Sequence, residues 1–194
     1  DVDESRDILE TGKKYSLTPK VHADEITPLG GASLAAQVGA ISAEHLIHAS
    51  NKGIEDMAKA GVIATLLPGT SLYLDESFAR ARAMIEKGIP VALATDFNPG
   101  SCPTKSLQLI INLAYIKYKM TPEEALTAVT LNAAASINRA STVGSLEVGK
   151  QADIVIWDAP DLDFIAYHFG INLVKTVIKR GRIVVSNGVL GGSI

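Results

Sequence analysis

Four short apolar runs separated by helical segments constrain this chain more than any other feature. They cover Lys20–Ala23, Ala40–Leu46, Val62–Leu67 and Pro90–Thr95. Their near-continuous apolar character suits strands buried on both faces of a parallel sheet. The intervening segments carry helix punctuation. Thr27-Pro28 sets a capping residue before a proline, opening a segment through Val38. Ser50 or Asn51 opens a helix through Lys59, with Gly61 as its stop. Asp75 opens one through Lys87, stopped by Gly88, and Leu107–Tyr118 is a further helix. Thr121-Pro122-Glu123-Glu124 is a capping box with proline at the first helical position, and its helix runs to about Leu131. This alternation builds βαβ units with right-handed crossovers. A closed (β/α)8 barrel needs eight strands, so four make half a barrel or a small open α/β sheet.

The pattern changes after Ser141. Residues 144–150 are glycine-punctuated, Ala152–Trp157 reads as a strand, and Lys175–Lys179 with Arg182–Val185 flank Arg180-Gly181 as a β-hairpin. The division expected is therefore residues 1–143, α/β, and residues 144–194, β-rich. The second part has too few strands to close a core alone and is expected to complete its sheet with another segment. Asp3–Leu17 reads as an amphipathic helix. A chain that opens at Asp1 directly in a helix feeding a buried strand reads as cut from a longer one.

The 194 residues carry a net charge of −3 with no basic stripe, which argues against nucleic acid or an anionic membrane surface as a partner. No apolar run reaches membrane-spanning length. The one cysteine, Cys102, excludes an internal disulfide and fits a reducing, cytoplasmic setting. There is no phosphate-binding glycine loop and no G-x-S-x-G elbow.

Residues able to carry chemistry cluster at strand ends. His22 closes the first run, with Asp24 and Glu25 just beyond it. Imidazole is a ligand for zinc or iron, and a carboxylate past it can take a proton from metal-bound water. A continued pleat would place Asp24 on the face of His22, so spacing alone does not favour Glu25. His45 alternates with Ile41 and Ala43 and is expected to point inward, while His48 falls in the following loop. Asp96 ends the fourth run, where an ionised carboxylate is costly unless paired or bound to a cation. Asn98, Gly100 and Ser101 follow, either as turn chemistry or as donors for a substrate carboxylate. Cys102 and His168 have no such context and read as structural.

His22, His45 and Asp96, each ending a strand, together with residues 121–134 and the segment 144–155, resemble the amidohydrolase superfamily. Lys20-Val21-His22-Ala23-Asp24-Glu25 and Ala94-Thr95-Asp96-Phe97-Asn98-Pro99-Gly100-Ser101 more narrowly resemble the imidazolonepropionase family. That resemblance implies the C-terminal half of a TIM-type barrel (1–143) plus strands of a composite accessory β-sandwich (144–194). It implies a hydrolase that opens the ring of 4-imidazolone-5-propanoate to N-formimidoyl-L-glutamate. His22 and Asp96 would hold one zinc or iron ion, and Glu25 would contact the ring and relay protons. His45 would bond the developing oxyanion or the bound water. Asn98, Gly100 and Ser101 would hold the propionate side. The superfamily's His-x-His pair does not occur in this chain. The resemblance therefore implies a partner segment, the N-terminal part of the barrel, without which the chain binds metal weakly and does not turn over. It allows a homodimer of the intact protein. A cytosine-deaminase-like enzyme and a non-catalytic α/β binding module are the alternatives.

Overall fold

A computed structural model describes residues 1–191; the last three residues of the 144–194 segment lie outside the described residues. The four apolar runs become β1 (Lys20–Ala23), β2 (Ser42–His45), β3 (Ile63–Leu66) and β4 (Val91–Leu93), parallel and in that spatial order. Register sets Val21, Ala43, Ala64 and Val91 in one row, all buried, on the face packed by helices. The next row, His22, Glu44, Thr65 and Ala92, faces the other way. This second face departs from the expectation of strands apolar on both sides. Lys20 pairs with Glu44 at 3.1 Å and Ser42 Oγ donates to the same carboxylate at 2.6 Å. Lys20 and His22 are exposed.

Helices α1 (Val2–Lys14), α2 (Gly31–Gln37), α3 (Asn51–Ala60), α4 (Pro68–Tyr73), α5 (Ala81–Glu86), α6 (Leu107–Tyr118), α7 (Pro122–Val129), α8 (Leu131–Ser136) and α9 (Leu162–Tyr167) complete the order. Ser50 caps α3, its side chain accepting from Gly53 N, and Gly61 closes it in the left-handed conformation. The strands are shorter than the apolar runs that predict them, the first helix ends at Lys14 and not at Leu17, and three further helix boundaries differ from the sequence reading. Thr27-Pro28 opens no helix, because α2 starts at Gly31 and its first turn is capped from a distance by Asp24. Asp75, at φ 56°, follows the end of α4 instead of opening α5, which begins only at Ala81. The helix from Thr121 stops at Val129, where Thr130 breaks the α conformation before α8.

Gly31 is required by close approach. A Cβ there would lie 2.8 Å from Ala23 Cβ and 2.9 Å from Ala23 Cα, so the strand backbone itself would have to move. Gly31→Ala is expected to destabilise the chain by about 1–3 kcal/mol, read as a lower urea midpoint.

Thr121 Oγ1 accepts from Glu124 N while the Glu124 carboxylate accepts from Thr121 N, the reciprocal capping box expected from sequence. The same carboxylate receives Arg82 from α5, with Nη1 donating at 3.0 Å. The Arg82 hydrogen bond, more than the capping N–H, holds the Glu124 pKa below its ordinary value. A depressed carboxylate contributes stability above its unfolded pKa and loses it as pH falls through the folded one. The stability difference between the native chain and Glu124→Gln should therefore shrink as pH drops from about 5 to about 3. Thermal melts across that range check it.

The second sheet holds β5 (Ile154–Trp157), β6 (Val174–Lys179), β7 (Arg182–Ser186) and β8 (Val189–Leu190), antiparallel and in chain order. Arg180 and Gly181, both left-handed, form the two-residue turn expected between β6 and β7. Helix α9 was not legible in the sequence. It is tied to α6 by Asn112, 1% exposed, whose Nδ2 donates to the carbonyls of Ile165 at 3.0 Å and Ala166 at 2.8 Å. Among the described residues, no helix is long and apolar enough to cross a membrane.

Candidate functional site

The chain turns sharply where β1 ends, and that turn separates the two adjacent acids. Asp24 takes a left-handed conformation, φ 50°, which breaks the pleat. Its carboxylate faces α2: Oδ1 accepts from Gly30 N at 2.8 Å and Gly31 N at 3.0 Å, and Oδ2 from Ala32 N at 2.9 Å. Asp24 is buried and committed to the helix start. Glu25 is left to face the imidazoles, with Oε2 2.9 Å from His22 Nε2 and Oε1 3.3 Å from His45 Nδ1.

His45 reaches this place by a route the strand pattern does not contain. A regular pleat would set it on the helix-packed face with Ala43. Instead His45 and Leu46 are both left-handed, φ 67° and 61°, and the His45 ring lies 4.4 Å from that of His22. Two backbone bonds, Leu46 N to Ala23 O at 3.0 Å and His48 N to Asp24 O at 2.8 Å, lock the two strand ends together. His48 itself sits in the loop, as expected.

The three side chains differ in exposure: His22 66%, Glu25 15% and His45 5%. Burial, the largest influence, pushes the His45 imidazole below its ordinary pKa; the nearby Glu25 and Asp96 carboxylates oppose this and His22 adds to it. Burial thus favours the neutral form of the His45 imidazole. Its Nδ1 is close to Glu25 but makes no aligned hydrogen bond, so a buried nitrogen is left without a partner among the described residues.

His22, Glu25 and His45 each offer a ligand atom, and these atoms all lie within 4.8 Å of one another. Two imidazoles, one of them with an unpaired buried nitrogen, and a carboxylate fit zinc or iron. A recess of about 320 Å³ opens against His22, Glu25, Ile26 and Leu34. A larger one, about 390 Å³, lies at the N-terminal end of β4 among Ile85, Pro90 and Met120, away from these groups.

Asp96 stands outside the three-residue group. It follows β4, the far edge of the sheet from β1, yet its carboxylate is near enough to His45 to act on that imidazole. Its backbone is left-handed, φ 53°, and its carbonyl accepts from Asn98 Nδ2 at 2.8 Å. Its Oδ2 accepts from Thr70 Oγ1 at 2.7 Å. Asn98 organises the loop: its Oδ1 accepts from Gly100 N at 2.9 Å and Ser101 N at 2.8 Å, and its N donates to Cys102 O at 3.0 Å. Asn98, Gly100 and Ser101 thus engage one another, which is the turn-chemistry alternative of the sequence reading. Cys102 is buried at 1% exposure, and His168 stacks on Phe164 with Nδ1 2.9 Å from that residue's carbonyl. Thr70 had no signal in the sequence, because its partner lies 26 positions away.

A sequence model of the amidohydrolase family matches residues 13–184. The chain belongs to the amidohydrolase family. Within it, the chain is 59% identical over 189 residues to an imidazolonepropionase of Shouchella clausii, covering 97% of this chain and 42% of that protein. It is 56% identical over 188 residues to an imidazolonepropionase of Alkaliphilus oremlandii, covering 96% and 44%. The chain thus spans less than half the length of these curated relatives. Among solved structures it resembles an adenosine deaminase from Xanthomonas campestris with bound zinc, at TM-score 0.84 and 21% identity over 100% of this chain and 51% of that one. It also resembles a triazine hydrolase variant, at TM-score 0.83 and 18% identity over 100% and 49%. At such identities the likeness carries the fold, the mixed α/β architecture of the family.

Proposed function

We propose that this chain carries part of the active site of an imidazolonepropionase, which hydrolyses 4-imidazolone-5-propanoate to N-formimidoyl-L-glutamate in histidine degradation. The observation that carries the reading is one carboxylate, Glu25, set between two imidazoles at adjoining strand ends. The relatives' names supply the substrate.

His22 and Asp96 hold one zinc or iron ion. The donor chemistry around His22 fits either metal, and the Asp96 Oδ1 atom accepts no hydrogen bond from the described residues. When bound, such an ion lowers the pKa of a water and polarises a carbonyl. Glu25 accepts the proton released as water oxygen adds to the ring carbonyl carbon. It returns that proton to the ring nitrogen as the C–N bond breaks. His45, whose neutral form burial favours, hydrogen-bonds the oxyanion formed in between. The loop of Asn98, Gly100 and Ser101 holds the propionate. Ser101 Oγ is its most available donor, its bond to Asn98 Oδ1 being 3.2 Å long.

The parallel sheet of residues 1–143 then serves as half of a TIM-type barrel, with β1 and β4 as open edges. The antiparallel sheet beyond residue 143 serves as part of a composite β-sandwich. A further segment of polypeptide closes both and adds metal ligands, in an enzyme of the cytoplasm. The test is hydrolysis by the complete natural polypeptide, loaded with zinc or iron, of 4-imidazolone-5-propanoate and of cytosine. Ring opening of the first alone supports the reading. Action on cytosine, or on neither, overturns it. The 194-residue chain by itself is expected to bind metal weakly and to show no turnover.

A further inference from the structure

Asp96 is held in place more completely than a strand-end acid needs to be. Asn98 fixes its carbonyl and Thr70 fixes one carboxylate oxygen. Thr70 is 1% exposed, so its hydroxyl is shielded from solvent. It belongs to the first turn of α4, pressed against the Asp96 loop with no slack. A Cβ on the preceding Gly69 would lie 2.7 Å from Cys102 Sγ, 3.1 Å from Ile110 Cδ1 and 3.6 Å from Thr95 O. Close packing at Gly69 therefore fixes the backbone from which the Thr70 side chain extends.

We infer that Thr70 is a positioning residue for Asp96: its buried hydroxyl anchors Oδ2 and leaves Oδ1 as the single oxygen offered to the cation. This rests on the metal role proposed for Asp96. An ionised carboxylate that accepts one hydrogen bond from a rigid donor cannot rotate freely, so its other oxygen is pre-aimed. Groups that orient a ligand in this way typically contribute about 10–100-fold to metal affinity.

The experiment measures zinc affinity of the complete polypeptide by competition with a chromophoric chelator, alongside melting of the metal-free forms. The variants are Thr70→Val, Thr70→Ser and Asp96→Asn. Thr70→Val keeps the side-chain shape and is expected to weaken zinc binding about 10–100-fold. Thr70→Ser keeps the hydroxyl and is expected to stay within about 3-fold of the native protein, well inside that range. Two outcomes overturn the inference alone: Thr70→Val binding zinc as the native protein does while Asp96→Asn loses it, or Thr70→Ser failing to rescue. If Asp96→Asn leaves zinc affinity unchanged, the metal role of Asp96 falls, and the inference falls with it.

Discussion

Asp96→Asn in the complete polypeptide lowers kcat/KM by about 10³-fold or more and strips the protein of metal, while its melting temperature without metal stays near the native value. A metal centre contributes several kcal/mol of transition-state stabilisation, and each 1.36 kcal/mol is tenfold in rate. Asparagine preserves the shape of the side chain, and its oxygen still accepts from Thr70 Oγ1, so the loop held by Asn98 has no reason to move. What it removes is the negative charge. An unchanged metal content with unchanged kcat/KM would show Asp96 to be only a strand-end acid neutralised by its neighbours.

Glu25→Gln has the next largest expected effect and separates two roles that geometry alone allows. Glu25 lies within ligand reach of both imidazoles, so the same three side chains could hold an ion among themselves. If Glu25 moves protons while His22 and Asp96 hold the ion, glutamine lowers kcat by about 10²–10⁴ and leaves the metal in place. KM then changes little, because glutamine still fills the space beside His22 and His45. Loss of metal together with loss of rate would instead make Glu25 a ligand. Steady-state kinetics paired with metal analysis of the same preparation distinguishes the two.

Local signals in the sequence carried the strand framework and little of the site's fine geometry. Lys20–Ala23, the Thr121 capping box and the Arg180-Gly181 turn depend on neighbouring residues, and all three stand in the structure where the pattern put them. The short helices escaped it. Pro68–Tyr73 and Leu162–Tyr167 are six residues each, too short for periodicity to register, and α9 depends on the distant Asn112. At the site, the pleat argument set Asp24 on the face of His22 and gave no preference to Glu25. The left-handed turn at Asp24 and the three N–H groups of α2 decide between them, and neither is visible in spacing. The expectation that His45 turns inward rested on alternation along the strand. The alternation would have aimed it at the helices, and its own positive φ brings it to Glu25. Thr70 was invisible because side-chain bonds between separate βα units leave no local trace.

The most direct test of the account is anomalous diffraction from crystals of the complete polypeptide, recorded at the zinc and iron edges. The account places a single peak about 2.0–2.2 Å from a ring nitrogen of His22 and from an Asp96 carboxylate oxygen, with the active edge identifying the metal. A peak held by His22, Glu25 and His45 with Asp96 beyond coordinating reach would contradict it.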